Sequence, residues 1–244
     1  MQTRPMNTNA CLSILDQGEI SLEGQFLWSS NYTLLAEVNR GDTTLKAVYK
    51  PAQGERPLWD FPQATLALRE VAAYLVSEAI GWQLVPPTIY RESGPLGPGS
   101  LQLFMEHDPE YHYFNFTPED RRRMHPVVLF DIIINNADRK GGHVIRDSEN
   151  HLWLIDHGVC FHQNDKLRTV LWDFSGESIP DNLRRDLREL RCKLEPGGET
   201  ATALQRYLSS REITALARRI DRLLVTNIFP YPPKHTRPYP WPLV

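Results

Sequence analysis

Two acidic segments in the middle of the chain have the residue types and spacing that phosphoryl transfer needs. Asp138 lies in a polar, glycine-containing loop directly after an apolar run, and Asp156 ends the short apolar segment 153–155, with Gly158 two residues later. Phosphoryl transfer depends on charge neutralisation, a metal ion and alignment more than on covalent help from the protein. We therefore expect Asp138 to face an acceptor hydroxyl and Asp156 to hold a metal ion on the nucleotide phosphates, with a hairpin between them.

A cation for the phosphates is expected on a strand that precedes these segments. Lys50 ends the apolar run 45–50, and Lys46 lies on the same face by strict alternation, which makes it the second choice. Glu70 lies in the middle of a predicted helix, beside Val71 and two alanines, and is the expected ion-pair partner of the lysine. Taken singly, a strand-end lysine or a helical glutamate is more often an ordinary surface charge. Their order and spacing relative to the two aspartates favour the chemical interpretation.

A turn over the phosphates is expected at residues 24–31. Ser29, Ser30 and Asn31 would supply hydroxyl, amide and backbone N–H donors. The motif is weakly specific, because a Ser-Ser-Asn hairpin is common in proteins.

The elements that must position these residues divide into two halves. Residues 11–50 are predicted to form short antiparallel strands, followed by a Pro/Gly-rich loop at 51–62 and a helix over 63–80 that Gly81 ends. Strands are predicted over 84–90 and 101–106. This half should therefore be a β-meander with one helix.

The second half is predicted to be mainly helical. Thr117 and Pro118 begin a helix that should run to about residue 135. Two amphipathic helices follow at 180–194 and 210–226, the latter with a Ser209/Glu212 capping box. The segment 229–244 has six prolines and should lack regular secondary structure.

Composition excludes several classes of protein. The 244 residues are 41% hydrophobic and 23% charged, which is typical of a globular protein. The net charge of −3 argues against nucleic-acid binding. The longest apolar run, 127–134, is far shorter than the roughly 20 residues of a membrane span, so we expect no transmembrane segment. Three scattered cysteines without a CxxC motif favour a cytoplasmic location and give no support for zinc.

With these motifs in place, the chain resembles the phosphatidylinositol 3-/4-kinase-like (atypical kinase) superfamily. Within it, the chain is similar to type II phosphatidylinositol 4-kinases and, more distantly, to HipA-like kinases. It also resembles a bacterial branch of kinase-like proteins with the loop Asn-Ala-Asp-Arg-Lys-Gly-Gly-His. The matching segments follow the family order over roughly residues 20–160; they are 29–32, 47–51, 68–76, 85–88, 99–106, 136–139 and 154–158.

The resemblance implies an α+β, two-lobed atypical protein-kinase-like fold, with an antiparallel β N-lobe containing one helix and a mainly helical C-lobe. We place the N-lobe at 10–104, the C-lobe at 105–228 and a Pro-rich tail at 229–244. Family roles carried over to this chain would make Lys50 the phosphate-binding lysine, Glu70 its partner, Asp138 the catalytic aspartate and Asp156 the metal ligand. The strand 102–106 would be the hinge, where the backbone of Phe104, Met105 and Glu106 would bind adenine.

One position departs from the family pattern. The family has an asparagine five residues after the catalytic aspartate, as a second metal ligand, where this chain has His143. Neutral imidazole binds Mn²⁺ more readily than Mg²⁺, so the metal preference or the activity should change. His157 likewise replaces the residue that usually follows the metal-binding aspartate.

Three functions remain open from the sequence. The first is an ATP-dependent kinase that uses Mg²⁺ or Mn²⁺ and transfers phosphate to a protein, lipid or small-molecule hydroxyl. The second is a pseudokinase that binds ATP with little or no turnover. The third is a metal hydrolase built from the seven histidines between residues 107 and 162, although no HExxH-like spacing supports it.

Overall fold

The computed structural model describes residues 7–26 and 32–244, and its first half is built on one antiparallel sheet. The strands are β1 (Glu19–Gln25), β2 (Leu34–Arg40), β3 (Thr43–Pro51), β4 (Thr88–Arg91) and β5 (Gly99–Leu103), in the order β1-β2-β3-β5-β4. One helix, α2 (Leu66–Ile80), connects the meander to the last two strands, and Gly81 ends it with a positive φ of 81°. The predicted meander, helix and strand pair are therefore confirmed.

The first predicted strand region begins instead with a helix, α1 (Thr8–Gln17). The side chain of Asn7 accepts the Asn9 N–H and caps this helix, whose buried residues Cys11, Ile14 and Leu15 have the three- and four-residue spacing of one helical face. The prediction of strands from residue 11 was wrong, because this short helical period was not recognised.

The strands that follow α2 are displaced from their predicted bounds. β4 begins at Thr88 rather than at residue 84, because Pro86 and Pro87 cannot donate to a ladder and the amides of Leu84 and Val85 donate to the Ser77 hydroxyl instead. β5 covers Gly99–Leu103 and ends before the predicted hinge residues.

The second half is helical, as predicted. It contains α3 (Pro118–Arg122), α4 (His125–Ile134), α5 (Asp181–Lys193), α6 (Glu199–Leu204) and α7 (Ser210–Thr226). A two-stranded hairpin of β6 (Val144–Arg146) and β7 (Leu152–Leu154) lies between the two aspartate segments. Both hydrogen bonds of the predicted capping box form at the start of α7: the Ser209 side chain accepts the Glu212 amide, and the Glu212 side chain accepts the Ser209 amide.

The helix predicted from Thr117 to about residue 135 is two helices. Thr117 does cap the first of them, but the chain breaks at 123–124, because Pro126 has no N–H to continue a helical ladder and is tolerated only in the first turn of a new helix. The short helix α6 was not predicted.

Two apolar cores accompany these two halves. One lies between α1 and the five-stranded sheet, and the larger one joins α2 to the helices of the second half. Segment 229–244 has no helix or strand, although Phe229 and Pro240 are buried. Across residues 7–26 and 32–244, no helix combines the length and apolar character that crossing a bilayer requires. The lobe boundaries stay a prediction.

Candidate active site

Lys50 is the centre of an ion-pair cluster that joins the sheet, α2 and the hairpin loop. Its Nζ binds the carboxylate of Glu70 and lies 3.0 Å from Oδ1 of Asp156. Burial by itself lowers the pKa of Lys50, but the charges of Asp156 and Glu70 outweigh it and raise that pKa overall. The Lys50 charge in turn lowers the pKa of Asp156 well below its usual range. Lys46, the second choice, is exposed and forms no part of this cluster.

Asp138 lies in the same cavity as this cluster. Lys50, Glu70, Asp138 and Asp156 all line one opening of about 350 Å³. The Asp138 side chain is 36% exposed, and the Lys140 ammonium lies 3.4 Å from its Oδ2. Burial raises the pKa of Asp138, Lys140 opposes that rise, and the charge of Asp156 adds to it. A carboxylate with a raised pKa in an accessible cavity has the properties of a general base.

A buried ion pair beneath the two aspartates holds both loops in place. Arg139 and Asp131 are almost completely buried, and the arginine donates to both carboxylate oxygens, with Nε 2.8 Å from Oδ2. The Nη1 of Arg139 also donates to the carbonyls of His143, at 3.1 Å, and Ile155, at 2.7 Å. Arg139, the residue after Asp138, therefore links the Asp138 loop to the strand end that precedes Asp156.

The backbone at Asp156 is in a left-handed conformation, with φ of 62°. A non-glycine residue in this region is uncommon and requires support from its surroundings. Here both neighbours are tied down, because the Ile155 amide donates to the His143 carbonyl and the His157 amide donates to Glu70 Oε2. The structure thus aims the Asp156 carboxylate toward Lys50 by fixing the backbone on each side.

His143 has donor properties suited to a metal ion. Its Nε2 lies 3.5 Å from Asp156 Oδ2, and its buried Nδ1 has no hydrogen-bond partner among the described residues. Burial is the main reason that its pKa falls to about 4, so the ring is neutral at pH 7 and has a free lone pair. A carboxylate, an imidazole nitrogen and nucleotide phosphates together form a donor set that suits Mn²⁺ and also admits Mg²⁺.

The predicted nucleotide-contact residues have different outcomes. Ser29, Ser30 and Asn31 lie outside the described residues. Phe104, Met105 and Glu106 do not line the cavity around Lys50, and the Phe104 amide already donates to the Lys46 carbonyl at 3.0 Å. Adenine contacts at this hinge therefore stay a prediction, in which the Phe104 amide is already used by Lys46.

The loop between β3 and α2 contributes residues to the cavity that the sequence did not indicate. Trp59, Asp60 and Phe61 all line it, and the Lys166 ammonium lies 2.7 Å from Asp60 Oδ2 and 5.1 Å from the Trp59 ring centre. The sequence pattern predicted only a Pro/Gly-rich loop in this segment. Only Phe61 of these three residues is buried, whereas Trp59 is 93% exposed.

The histidines do not form the metal centre that a hydrolase would need. Within the part of the chain that the structure describes, no three His, Cys, Asp or Glu side chains assemble as a metal site. His125 stacks on Phe174, for example, while His151 contacts the Gln83 carbonyl. The described residues therefore give the metal-hydrolase alternative no support.

Comparisons with known proteins agree with this geometry. The family model described as "Phosphatidylinositol 3- and 4-kinase" matches residues 64–226. Protein Rv2133c of Mycobacterium tuberculosis is 39% identical, over 94% of each chain. Phosphatidylinositol 4-kinase gamma 4 of Arabidopsis thaliana is 34% identical over 43% of this chain, a match that spans only 23% of the plant protein.

A solved structure shows the same fold at low sequence identity. The crystal structure of the Golgi casein kinase with Mn/ADP bound superposes with a TM-score of 0.60 and 14% identity, over 89% of this chain and 74% of that one. The α+β, two-lobed architecture predicted from the sequence is therefore confirmed as that of atypical kinases.

Proposed function

Because this chain belongs to the phosphatidylinositol 3- and 4-kinase family, we propose that it is an ATP-dependent phosphotransferase. It would transfer the γ-phosphate of ATP to a hydroxyl group of a protein, lipid or small molecule. We propose no nucleic-acid partner, and a cytoplasmic location remains part of this proposal.

One observation carries the proposal. Lys50 pairs simultaneously with Glu70 and Asp156, and Asp138 lines the same cavity. In kinases, the strand lysine must be paired with the helix glutamate for the phosphates to be bound productively. The joint placement of a strand lysine, a helix glutamate and two loop aspartates at one opening is what favours the kinase interpretation over an unrelated function.

Each residue has a proposed role that its surroundings support. Lys50, oriented by Glu70, would bind the nucleotide phosphates as a cation. Asp138 would accept the proton of the acceptor hydroxyl, a role that its raised pKa favours. Arg139 touches no substrate in this scheme and would position the two loops through its contacts with Asp131 and the loop carbonyls.

A divalent cation, Mg²⁺ or Mn²⁺, fits beside Asp156 and His143. Oδ2 of Asp156 and Nε2 of His143, which lie 3.5 Å apart, would hold it. When bound, the metal would neutralise charge on the phosphate oxygens.

The experiment is an ATP-turnover assay with Mg²⁺ and with Mn²⁺, against panels of protein, inositol-lipid and small-molecule acceptors. We expect Asp138→Asn and Asp156→Asn each to reduce the rate by about 10²- to 10³-fold, because each removes a charged contact from the reacting centre. Asp42→Asn, in the exposed β2–β3 turn, is the matched control and should leave the rate unchanged. Turnover that persists in the two site variants would refute the assignment.

A pseudokinase is the second candidate, and His143 is the observation that favours it. An imidazole in place of the family's amide weakens the case for a second Mg²⁺ ion. This alternative predicts that ATP stabilises the fold, by about 2.7 kcal/mol at 100 times its Kd, without any turnover. Absence of both stabilisation and turnover would contradict both candidates.

A further inference from the structure

A second cavity lies beside the candidate active site, on the side away from the sheet. It has a volume of about 640 Å³ and is enclosed by the loop 165–172, by α7 and by the tail. This volume is within the range of roughly 300–1,000 Å³ that small-molecule sites occupy. Lys166 and Arg168 line both this cavity and the one around Asp138, so the two openings are adjacent. We refer to the second opening as the tail cavity.

The lining of the tail cavity has a large excess of positive charge. Lys166, Arg168, Arg219, Arg222 and Arg237 contribute five cations, while a single carboxylate, Asp165, lines it among the described residues. Lys166 is already paired with Asp60, which lies outside this lining. Asp165 binds two of those arginines at once. Within the described ranges, 7–26 and 32–244, the structure gives no ion pair for Arg168 or Arg237, which leaves the excess uncompensated there.

Two buried donors in the same lining lack acceptors. Arg219 is only 3% exposed, and its Nη1 has no hydrogen-bond partner among the described residues. The indole Nε1 of Trp172 is likewise buried and unpartnered within that part of the chain. An unmet buried donor is unfavourable by about 1–3 kcal/mol, and more for a charged group. Two such donors beside excess positive charge favour a partner that brings acceptor oxygens and negative charge. Both atoms have almost no accessible surface, so that partner would reach them after a shift of the neighbouring side chains.

The rest of the lining indicates what the missing partner is attached to. Trp172 and Tyr231 supply aromatic surface, and Ile132, Leu223 and Pro230 add aliphatic surface. A bare inorganic ion would satisfy the cations but leave this surface in contact with water. An organic phosphate with a flat apolar body satisfies both parts.

We propose that the tail cavity is a binding site for a small organic phosphate, with the phosphate group among Arg219, Arg237 and the Trp172 indole N–H. The site is distinct from the nucleotide cleft and does not depend on the proposed transfer reaction. Since Arg168 and Lys166 line both openings, a ligand in the tail cavity would contact the segment that follows Asp156 and also borders the nucleotide cleft.

The test is calorimetric titration of the full chain with phenyl phosphate, with phenol and inorganic phosphate as comparison probes. Phenyl phosphate should bind more tightly than inorganic phosphate, and phenol should not bind measurably. Arg237→Gln, which removes an unpaired exposed cation, should lower the affinity for phenyl phosphate by about tenfold. Trp172→Phe, which keeps a ring but removes the N–H, should weaken it several-fold.

Three further variants test whether the phosphate binds in the tail cavity rather than elsewhere on the protein. Arg218→Gln, on the same helix but lining a different surface, should leave the affinity unchanged. Asp165→Asn should tighten binding, because it removes the carboxylate that competes for the arginines. Lys50→Ala should have no effect, because Lys50 lines only the nucleotide cleft of the two.

Four results would overturn the proposal. They are an absence of phenyl phosphate binding, equal binding by wild type and Arg237→Gln, equal effects of Arg237→Gln and Arg218→Gln, or loss of binding in Lys50→Ala. Binding to phosphatidylserine vesicles without binding to phenyl phosphate would assign these cations to a membrane surface and would also overturn it.

Discussion

Neutralising Asp131 is expected to destabilise the protein far more than neutralising a carboxylate at the surface. Asp131→Asn keeps the shape of the side chain, so it opens no cavity, but it leaves Arg139 buried without its counter-charge. Three hydrogen bonds join Arg139 to the Asp131 carboxylate, at 2.8, 3.0 and 3.1 Å, and both side chains are at most 1% exposed.

The magnitude follows from the burial of this pair. Removing one partner of a buried ion pair typically lowers the free energy of unfolding by about 3–5 kcal/mol, because the remaining charge stays desolvated. Arg191 and Asp221 form the matched surface pair, with Nε 2.9 Å from Oδ1 and side chains that are 27% and 50% exposed. An exposed pair of this kind contributes about 0–1 kcal/mol. The loss of unfolding free energy should therefore be larger in Asp131→Asn than in Asp221→Asn by at least about 2 kcal/mol.

Urea denaturation, followed by circular dichroism, measures both variants under the same conditions. Arg139→Lys is an intermediate variant, since it keeps the charge but loses the planar fork that binds both carboxylate oxygens. The unfolding free energy of Arg139→Lys should lie between those of wild type and Asp131→Asn. This variant remains measurable if Asp131→Asn fails to fold. Equal losses of unfolding free energy in Asp131→Asn and Asp221→Asn would refute the view that this pair holds the Asp138 and Asp156 loops in place.

Three further predictions concern the metal, the tail and acid stability. His143→Asn should raise Mg²⁺ affinity relative to Mn²⁺ in nucleotide-free titrations, because an amide oxygen replaces a nitrogen donor; an unchanged affinity ratio would remove His143 from the metal site. Deleting residues 238–244 removes the Leu243 carbonyl that accepts the Gly141 amide at 2.8 Å. Hydrogen exchange at the Gly141 amide should therefore accelerate. Unaltered exchange would contradict a role of the tail in ordering the loop that contains Gly141. Although burial opposes it, the Arg69 charge lowers the pKa of Glu212, so the unfolded chain takes up this proton first as the pH falls and the pair loses its stabilising effect in acid. In Glu212→Gln, the urea midpoint should therefore depend less on pH below about pH 4.5 than in wild type. An unchanged dependence of the midpoint on pH would exclude this contribution.

Local sequence signals predicted most of the elements but not all of their bounds. The Ser209/Glu212 box and Gly81 act through contacts within a few residues, so the ends of α7 and α2 were predictable. β4 was misplaced because the Leu84 and Val85 amides bind a hydroxyl from α2 rather than a neighbouring strand. Such competition between partners depends on which elements meet in space.

The candidate site was predictable where residue type and chain order were sufficient. Lys50, Glu70, Asp138 and Asp156 were selected from their types, order and neighbours, and the fold brings all four to one cavity. Their individual roles remain proposals.

The supporting residues were not predictable in the same way. Arg139 was noticed only as the neighbour of Asp138, and its partner Asp131 only as a charge within an apolar run. The unpartnered donors of Arg219 and Trp172 are a property of burial, which no sequence pattern reports.

The sequence by itself therefore determined the family, most of the elements and the four charged residues, because these depend on residue type and local spacing. Only the tertiary structure decided that Lys50 also pairs with Asp156 and that Arg139 pairs with Asp131. It also decided how Asp156 is held at φ of 62° and that the tail closes a second, positively charged cavity. These depend on burial and on contacts between residues as far apart in the chain as Lys50 and Asp156, where desolvation makes each charge require a partner.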